Sequence, residues 1–454
     1  MRLMINVTRN CLLIGMYFFL AATTIMCDST VKKDKSSISP ASRDDSPGVP
    51  GKVEIVKQGN SFQLIRNGKP YFIKGVAGEQ QVEVAAAAGA NSIRTYTADD
   101  LDNLLNKADS LGLSVMVGIW LGREIEGFDY DDVAAVEKQK GMVKSIINQY
   151  KNHPAVLCWT LGNELDNLTN KKAGLWAAMN DLVDLAHELD PNHPVTTAIT
   201  TTNYQDVKRN CPRLDFLSIN AFGNMAEFHD KIANDAPFIY SEWGPLGPWE
   251  SDKTYWHAVL EQSIKQKYDY IQQQYSKYIA PDTTRCLGSY VFYWGQKQEF
   301  TPTWFSFFTE NGLKTPLVDA MTTLWNGNST ENKAPFIDSL MLDEKIVLQS
   351  LEIDFNKTHT ASIRAIDQEG DDLEFSWEII PDGPFFEYLP NRGKVEIRPK
   401  AIDNLIIKQS GNAIEFRSPP EPGAYRLLVY AYDGKGNGSY ANMPFFLTNK
   451  NLVD

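Results

Sequence analysis

The sequence has few cysteines and histidines. Its 454 residues include five Cys and six His, with no CxxC pair and no cluster that joins the two residue types. A structural zinc site needs four such ligands, usually at short spacings along the chain. We therefore predict no metal site and no cofactor.

Positive charge is also scarce. The chain carries 44 Lys and Arg against 57 Asp and Glu, a net charge of −13, and no basic stripe is interleaved with aromatic residues. A nucleic-acid partner requires a basic surface that neutralises phosphates, and a helix bound to the membrane surface requires a basic face. Both are excluded as partners, and we interpret the acidity as an aid to solubility.

A short apolar run lies near the start of the chain. This run, Leu12–Ala22, is too short to span a bilayer but has the length of a signal-peptide core. We predict a signal peptide over 1–27 and a flexible tether over 28–51. Lipidation at Cys27 and plain secretion both stay open, because Met26 is bulkier than the residue that lipoprotein signals prefer there. The predicted location is secreted, periplasmic or, through a lipid anchor, the outer surface.

Three cysteines follow the predicted leader. Cys158 lies within an apolar strand, where a buried free thiol is the expected state. Cys211 and Cys286 can pair only if the fold brings them together, which spacing along the chain does not decide. Their pairing is left open.

One pattern repeats from Phe72 to Trp294: a short apolar run rich in residues that favour β-strands, then a loop, then a segment with helical periodicity. The eight runs are Phe72–Val76, Ser92–Tyr96, Ser114–Trp120, Val156–Gly162, Val195–Ile199, Phe216–Asn220, Phe238–Trp243 and Ser289–Trp294. Buried strands that alternate with helices indicate a parallel sheet, and eight such units over about 250 residues indicate a closed (β/α)8 barrel. An open doubly wound sheet is the rival fold, but Gly75–Gly78 does not match its Gly-rich phosphate turn.

Two further regions flank the predicted barrel. The segment Phe62–Pro70 contains an Asn-Gly turn and predicts a hairpin beneath the barrel floor. After a linker at 327–335, short alternating strands indicate a small β-sandwich over 336–454. The predicted fold is therefore α/β, a TIM barrel over 52–326 followed by an all-β, immunoglobulin-like module.

Two carboxylates end predicted barrel strands. Glu164 ends the fourth strand and Glu242 ends the seventh. Because the carboxyl ends of all the strands meet at one face of a barrel, both side chains should emerge there. Cleavage of a glycosidic bond needs such a pair, since one group protonates the leaving oxygen while the other attacks or guides water. The sequence therefore predicts a glycosidase.

Several segments resemble glycoside hydrolase family 2, a member of clan GH-A. Asn152–Glu164 is similar to the acid/base segment of that family, and Ser241–Gly244 is similar to its nucleophile segment. Asp190–Val195 and Asp215–Asn220 resemble the segments at its fifth and sixth strands. The resemblance runs from about Phe62 to Trp325.

The resemblance implies a retaining mechanism and a role for each matching position. Glu164 is the implied general acid and base, and Glu242 is the implied nucleophile. Asn163 is implied to bind the sugar 2-hydroxyl, an interaction that strengthens in the transition state. Arg94 is implied to keep Glu242 ionised through its fixed charge. Trp294 is implied to stack beneath the reacting sugar.

The substrate follows from a finer resemblance. Ile93–Asp99 is similar to the second-strand end of clan enzymes that act on β-1,3-glucans, so an oligo- or polysaccharide of the β-glucan class is the predicted substrate. The other residues that we assign to substrate binding are Tyr96, Asn220, Trp120, Trp243 and Tyr240. Trp249 and Trp304 also fall on loops near the mouth, where a polymer can stack.

The chain departs from the family in three respects. Full family 2 enzymes carry sandwich domains before the barrel, whereas the module predicted here follows it. The Gly-Val-Asn after the first strand of the family is Gly75-Val-Ala in this sequence. The Tyr that commonly stands near the nucleophile is Phe222, and we suggest Tyr240 as its substitute.

The C-terminal module resembles the immunoglobulin-like and polycystic-kidney-disease-like modules of bacterial carbohydrate enzymes. Its acidic segment Asp367–Asp372 is interpreted as a solvated turn in preference to a calcium site. Two alternatives to hydrolysis stay open for the whole chain. One is a transglycosylase with the same catalytic pair, and the other is a catalytically silent glycan-binding protein.

Overall fold

The computed structural model describes residues 51–449 except 168–171, 233–235, 329, 347–349 and 390–392. The predicted signal peptide, and the predicted tether apart from residue 51, lie outside the described residues. A three-stranded antiparallel sheet comes first, formed by β1 (Val53–Gln58), β2 (Ser61–Arg66) and β3 (Lys69–Pro70). Its second turn is the predicted Asn-Gly pair, with Asn67 at φ 53° and Gly68 at φ 71°. These positive φ values are those of the tight hairpin turn that Asn-Gly favours.

Eight parallel strands then close into a barrel in the order β10-β11-β4-β5-β6-β7-β8-β9. They are β4 (Ile73–Ala77), β5 (Ser92–Arg94), β6 (Ser114–Ile119), β7 (Val156–Asn163), β8 (Val195–Thr200), β9 (Leu217–Asn220), β10 (Phe238–Trp243) and β11 (Cys286–Val291). The predicted (β/α)8 barrel is confirmed, because each of the eight predicted runs overlaps one of these strands.

Eight α-helices are described with the barrel: α1 (Val82–Ala87), α2 (Leu101–Ser110), α3 (Val133–Tyr150), α4 (Lys172–Leu189), α5 (Tyr204–Asn210), α6 (Met225–Lys231), α7 (Ile264–Gln274) and α8 (Pro316–Asn326). Amphipathic spacing explains them. In α2, for example, Leu101, Leu104 and Leu105 are buried while the intervening polar residues are exposed. Within the part of the chain that the structure describes, we find no helix with the length and apolar character needed to cross a membrane.

Strand alternation divides the barrel side chains into two layers. Along β6, Val115, Val117 and Ile119 pack into a large apolar cluster shared with the helices. Met116 points the other way, into a cluster in the barrel interior that also contains Leu64 of the first sheet. The first sheet therefore contributes to the interior core, as the predicted floor hairpin requires.

Beyond β11 the chain forms a hairpin of β12 (Gln296–Glu299) and β13 (Thr301–Ser306). The C-terminal module then forms β14 (Phe336–Leu342), β15 (Lys345–Ile346), β16 (Glu352–Asp354), β17 (Thr358–Ile366), β18 (Glu374–Pro381), β19 (Phe385–Leu389), β20 (Gly393–Ile397), β21 (Ile406–Ser410), β22 (Ala413–Arg417), β23 (Gly423–Tyr432) and β24 (Gly438–Thr448).

The module is built from two sheets and a separate hairpin. One sheet has the order β15-β14-β17-β22-β21, the other has the order β16-β24-β23-β18, and β19 pairs with β20. Both sheets contribute side chains to one apolar cluster, for example Phe416 from the first and Phe445 from the second. The predicted all-β module after the barrel is thus confirmed, while its exact boundaries stay a prediction.

A buried polar network joins the module to the barrel. Both belong to one compact unit, Gly48–Asp454. Lys267 of α7 forms an ion pair with Glu261, and the side chains of both residues are only 1% exposed. From the module, Tyr440 donates a hydrogen bond to the backbone oxygen of Ser306 at 2.9 Å, and Asn442 donates to Glu261. The module therefore completes the hydrogen bonding of charged groups that the barrel buries.

The three cysteines in the described part of the chain are free and buried. Cys158 is the buried thiol that its strand predicts. Cys211 and Cys286, whose pairing the sequence left open, remain separate thiols.

Candidate active site

Glu164 stands on an unusual stretch of backbone where β7 ends. Gly162 has φ 73° and Glu164 has φ 52°, both in the left-handed region. Glycine adopts this region freely, but in a residue with a side chain, such as Glu164, the same backbone conformation is strained. The backbone N–H of Glu164 donates to the carbonyl of Ala198 on β8 at 2.8 Å, which holds the turn. The strand end thereby turns Glu164 into the barrel mouth.

Glu242 reaches the same mouth from β10. The register of β10 shifts between Tyr240 and Glu242 against β9, and such an irregularity re-aims a side chain at the end of a strand. Glu242 is 7% exposed. Its Oε1 accepts hydrogen bonds from Arg94 Nη1 and from the Tyr96 hydroxyl, each at 3.0 Å. Two donors therefore fix one carboxylate oxygen, and the other oxygen is left for a ligand.

Arg94 is the centre of the polar network beneath the mouth. It is 1% exposed, and besides Glu242 it donates to the Ser241 carbonyl at 2.7 Å and to Asn163 Oδ1 at 2.7 Å. Its guanidinium also lies 4.6 Å from the centre of the Tyr96 ring. A guanidinium with several fixed acceptors is held rigidly, so Arg94 sets the positions of the groups around it.

Asn220 links the two glutamates. Its Nδ2 donates to Glu164 Oε1 at 2.8 Å, and its Oδ1 accepts from Ser241 Oγ at 2.9 Å. Asn163 presents its oxygen to Arg94, and among the described residues no acceptor contacts the Asn163 amide nitrogen. Those N–H groups are therefore free to bind a ligand hydroxyl.

The pKa of Glu242 is raised to about 6, chiefly by burial, which disfavours the charged carboxylate. The Arg94 charge opposes this effect, the charge of Glu164 adds to it, and the hydrogen bond from Tyr96 and the charge of Lys297 oppose it further. Burial also raises the pKa of Tyr96 well above its usual value, so this hydroxyl keeps its proton and donates. The resemblance implied that Arg94 keeps Glu242 ionised; its charge lowers the pKa of Glu242, but burial outweighs it.

One cavity of about 690 Å³ contains both glutamates. Of the residues predicted from the sequence, six line it: Tyr96, Trp120, Asn163, Glu164, Asn220 and Glu242. Arg94 lies just below and contacts four of them: Tyr96, Asn163, Asn220 and Glu242. The structure thus brings seven of the ten predicted residues to one place.

Three predicted substrate ligands lie elsewhere. Tyr240, Trp243 and Trp294 are each 0% exposed and belong to the apolar cluster shared with the helices. Trp294 packs against Phe307, with ring centroids 5.5 Å apart. Its assignment as the floor beneath the sugar is therefore corrected, since the side chain is on the helix side of the barrel wall. Tyr240 does not replace the family tyrosine either, because Tyr96 is the residue whose hydroxyl contacts Glu242.

The sequence-based interpretation missed the aromatic and charged residues contributed by segments after the strands. Phe292 and Tyr293 line the cavity and were not predicted, whereas Trp249, 60% exposed, lines it as its predicted place near the mouth requires. Further lining residues that were not predicted are Arg123, Asn167, Thr200, Asn224, Glu250, Gln296, Lys297, Glu299 and Phe305. The position of the segment just after the eighth strand was the available signal, because the active-site residues of a barrel lie on the loops that follow its strands.

The described residues offer one group of carboxylates close enough to share a cation, and it lies in the C-terminal module. Oxygens of Asp367, Asp371 and Asp433 are within 4.8 Å of one another. Lys435 donates to Asp371, and both oxygens of Asp433 accept hydrogen bonds, two of them from Asn437. One oxygen of Asp367 and one of Asp371 are buried with no hydrogen-bond partner among the described residues. The solvated turn stays a prediction.

Comparisons with known proteins give a consistent family. Residues 73–296 match the family model "Glycosyl hydrolases family 2, TIM barrel domain". The β-glucuronidase of Sus scrofa is 22% identical over 255 residues, which cover 47% of this chain and 37% of that protein. A putative β-glucuronidase of Formosa agariphila is 41% identical over 123 residues, which cover 25% of this chain and 14% of that protein.

The crystal structure of Bacteroides uniformis β-glucuronidase aligns with a TM-score of 0.47 at 16% identity, covering 87% of this chain and 48% of that chain. The chain spans less than half the length of each of these three relatives. The family model and the closed barrel of eight parallel strands together show that residues 73–296 are a TIM barrel domain of glycoside hydrolase family 2.

Proposed function

We propose that the protein is an exported retaining β-glycosidase with Glu164 as acid/base and Glu242 as nucleophile. The single observation that carries the proposal is the shared network: Glu164 and Glu242 line one cavity, and Asn220 and Arg94 connect them. Two carboxyl groups held in one pocket, with different hydrogen-bond partners, suit the division of labour that glycoside hydrolysis requires. Export rests on the apolar run at Leu12–Ala22.

In the proposed first step, the free oxygen of Glu242 attacks the anomeric carbon while Glu164 donates its proton to the glycosidic oxygen. The bond to the leaving oxygen breaks, and the aglycone departs as an alcohol. In the second step Glu164 takes a proton from water, the water oxygen attacks the anomeric carbon, and the bond to Glu242 breaks. Because each step inverts the configuration of the anomeric carbon, the two steps together retain it. Arg94 and Tyr96 hold the other Glu242 oxygen throughout and so orient the attack.

For the sugar, we propose a β-glucuronide. The curated relatives that match part of this chain are named β-glucuronidases, and two cationic side chains, Arg123 and Lys297, line the cavity. A cation within reach of the sugar is the group that recognises a carboxylate. This proposal replaces the β-glucan predicted from the second-strand segment as the first candidate.

A β-glucan stays as the second candidate because of two aromatic side chains. Trp120 and the exposed Trp249 line the same cavity. Aromatic rings at a cavity mouth suit stacking against neutral sugar rings beyond the cleaved bond. A glucuronide needs a cation in the cavity, whereas a neutral glucan needs aromatic rings to stack on. One panel of substrates therefore distinguishes the two candidates.

The test is a panel of aryl β-glycosides and polymers with the purified protein. It compares 4-nitrophenyl β-glucuronide, β-glucoside, β-galactoside and β-mannoside with a β-1,3-glucan. Glu242→Gln serves as the inactive control. We expect the glucuronide to have the highest kcat/KM, and hydrolysis of only neutral substrates would contradict the glucuronide.

The same experiment decides between the remaining alternatives. Products longer than the substrate, formed at high substrate concentration, would indicate a transglycosylase. Binding of the β-1,3-glucan without turnover of any substrate would indicate a silent glycan-binding barrel, and the glycosidase proposal would then be wrong.

A further inference from the structure

One wall of the candidate active site is formed by the β12–β13 hairpin. Lys297 and Glu299 face the cavity, and Phe305 from β13 lines it beside them. Gln298, between the two charged residues, does not line the cavity, and its side chain contacts the C-terminal module instead. The hairpin therefore has a cavity face and a back face, and the back face needs a partner.

The turn of this hairpin is strained. Phe300 connects β12 to β13 with φ 61°, in the left-handed region that a bulky residue rarely occupies. Such a conformation persists only where the surroundings fix it. The fixing contact comes from the C-terminal module, because the Phe300 backbone N–H donates to Glu396 Oε1 at 2.7 Å.

Two more hydrogen bonds connect the same face to β20. Gln298 Nε2 donates to Glu396 Oε1 at 3.1 Å and to the Ile397 carbonyl at 2.8 Å. Just after β20, Arg398 donates to Glu310 of the barrel unit and to Glu378 of the module. Side chains at the end of β20 and just beyond it thus attach the module to the segments that follow the eighth barrel strand.

We propose that the C-terminal module supports the active-site wall from behind, with Glu396 as a positioning residue that keeps Lys297 and Glu299 at the cavity. The inference rests on the proposed glycosidase function for its effect on substrate. Glu396 touches neither the cavity nor Glu242; it acts through the turn at Phe300. The module then sets the affinity for the substrate as well as the stability of the chain.

The position of Lys297 also matters to the nucleophile. Four charged or titratable groups act on the Glu242 carboxyl: Arg94, Tyr96, Glu164 and Lys297. The positive charge of Lys297 lowers the pKa of Glu242. When the hairpin loosens, Lys297 moves away and this lowering weakens. The pH at which kcat/KM is half of its maximum on the acid side should then rise.

The test compares Glu396→Ala, Glu396→Gln and the control Glu415→Ala, all in the full-length chain. Gln keeps an acceptor oxygen for the Phe300 N–H, whereas Ala removes it. Glu415 is an exposed carboxylate of β22 in the same module, in a sheet separate from the β19–β20 hairpin. Hydrogen exchange of segment 296–301 is measured alongside kcat, KM and the melting temperature, using the best aryl glycoside of the panel.

We expect Glu396→Ala to speed exchange in this segment at least tenfold and to raise KM at least fivefold, with kcat within twofold. Glu396→Gln should restore both values to near wild type, and Glu415→Ala should change neither. If Glu396→Ala does not fold, Gln298→Ala removes the neighbouring pair of hydrogen bonds and should have the same effect in weaker form.

Unchanged exchange and unchanged KM in Glu396→Ala would overturn the proposal. So would a lower melting temperature with KM and the acid-side pH unchanged, because that is the result of a purely structural role. If the wild-type protein turns over no substrate, the proposed function fails, but the exchange measurement still decides whether Glu396 holds the hairpin.

Discussion

The Tyr96 hydroxyl donates a 3.0 Å hydrogen bond to Oε1 of Glu242, from the loop after β5 to the end of β10. The sequence placed the tyrosine for this contact on β10, whereas the fold supplies it from the opposite part of the barrel wall. Because the pKa of Tyr96 is raised well above its usual value, this residue remains a donor at every working pH.

We predict that Tyr96→Phe lowers kcat/KM at pH 7 by about tenfold or more, since a hydrogen bond to a charged group contributes about 1.5–3 kcal/mol. Tyr293→Phe is the matched control, because Tyr293 lines the cavity and has no hydrogen bond to Glu242 among the described contacts. Steady-state kinetics of the two variants make the comparison. Equal losses in both would show that the hydroxyl contact with Glu242 is not what matters.

The acid side of the pH profile should report Glu242. This carboxyl must be ionised to attack, and its pKa in the free protein is about 6. We therefore expect kcat/KM to fall about tenfold per pH unit below pH 6. An ordinary carboxyl, with a pKa near 4.5, would keep the protein active down to about pH 5. A profile that stays flat to pH 5 would contradict the burial effect derived from the site.

The roles of the two glutamates separate in azide rescue. Glu164→Ala should still glycosylate Glu242 when the leaving group needs no protonation, and azide should then give the β-glycosyl azide. Glu242→Ala should lose all turnover on ordinary substrates, and azide attacking from the opposite face should give the α-azide. NMR of the products reads the anomeric configuration. If Glu164→Ala gave the α-azide and Glu242→Ala the β-azide, the two roles would have to be exchanged. If neither variant lost activity, the catalytic residues would lie elsewhere.

Trp294 and Phe292 offer a direct contrast between core and site. Trp294→Leu should lower the free energy of unfolding by about 3 kcal/mol, because it leaves a void in a close-packed core, while KM stays near wild type. Phe292→Leu should raise KM severalfold, because this ring lines the cavity. Chemical denaturation and steady-state kinetics on both variants provide the readouts. A raised KM in Trp294→Leu alone would restore the original assignment of Trp294 as the sugar floor.

Two lysines on α7 test the buried junction with the module. Lys267→Met should cost about 3–5 kcal/mol of stability, because it leaves Glu261 charged, buried and without its cation. Lys265→Met, on the same helix, removes a pair with Asp269 whose partners are 54% and 57% exposed. That change should cost no more than about 0.5 kcal/mol. Urea unfolding of both variants measures the difference, and equal stabilities would contradict the network described for this junction.

Local patterns were sufficient for the barrel and for its two glutamates. Continuous apolar runs alternating with helical periods predict parallel strands, and Glu164 and Glu242 stand at the ends of two of those strands. The aromatic floor was not predictable in the same way. Simple alternation after β11 would put Phe292 and Trp294 on the same side, but Phe292 and Tyr293 both face the cavity and turn Trp294 outward. Such a break in alternation depends on the backbone beyond the strand and leaves no periodic signal.

The hairpin wall was missed for a different reason. Its charged residues, Lys297 and Glu299, read as an ordinary polar loop in the sequence. What makes them part of the site is a contact with Glu396, 96 residues after Phe300. One sequence without aligned homologues contains no signal for such a long-range contact.

The left-handed backbone conformation of Glu164 affects the stability of the protein as well as its chemistry. A glycine or asparagine at that position would relieve the strain and give a more durable protein with no acid/base group. For the acid/base role proposed for Glu164, every substitution that relieves this strain also removes the catalytic group, so stability and activity oppose each other at this one position. The hydrogen bond from the Glu164 N–H to the Ala198 carbonyl holds the backbone there.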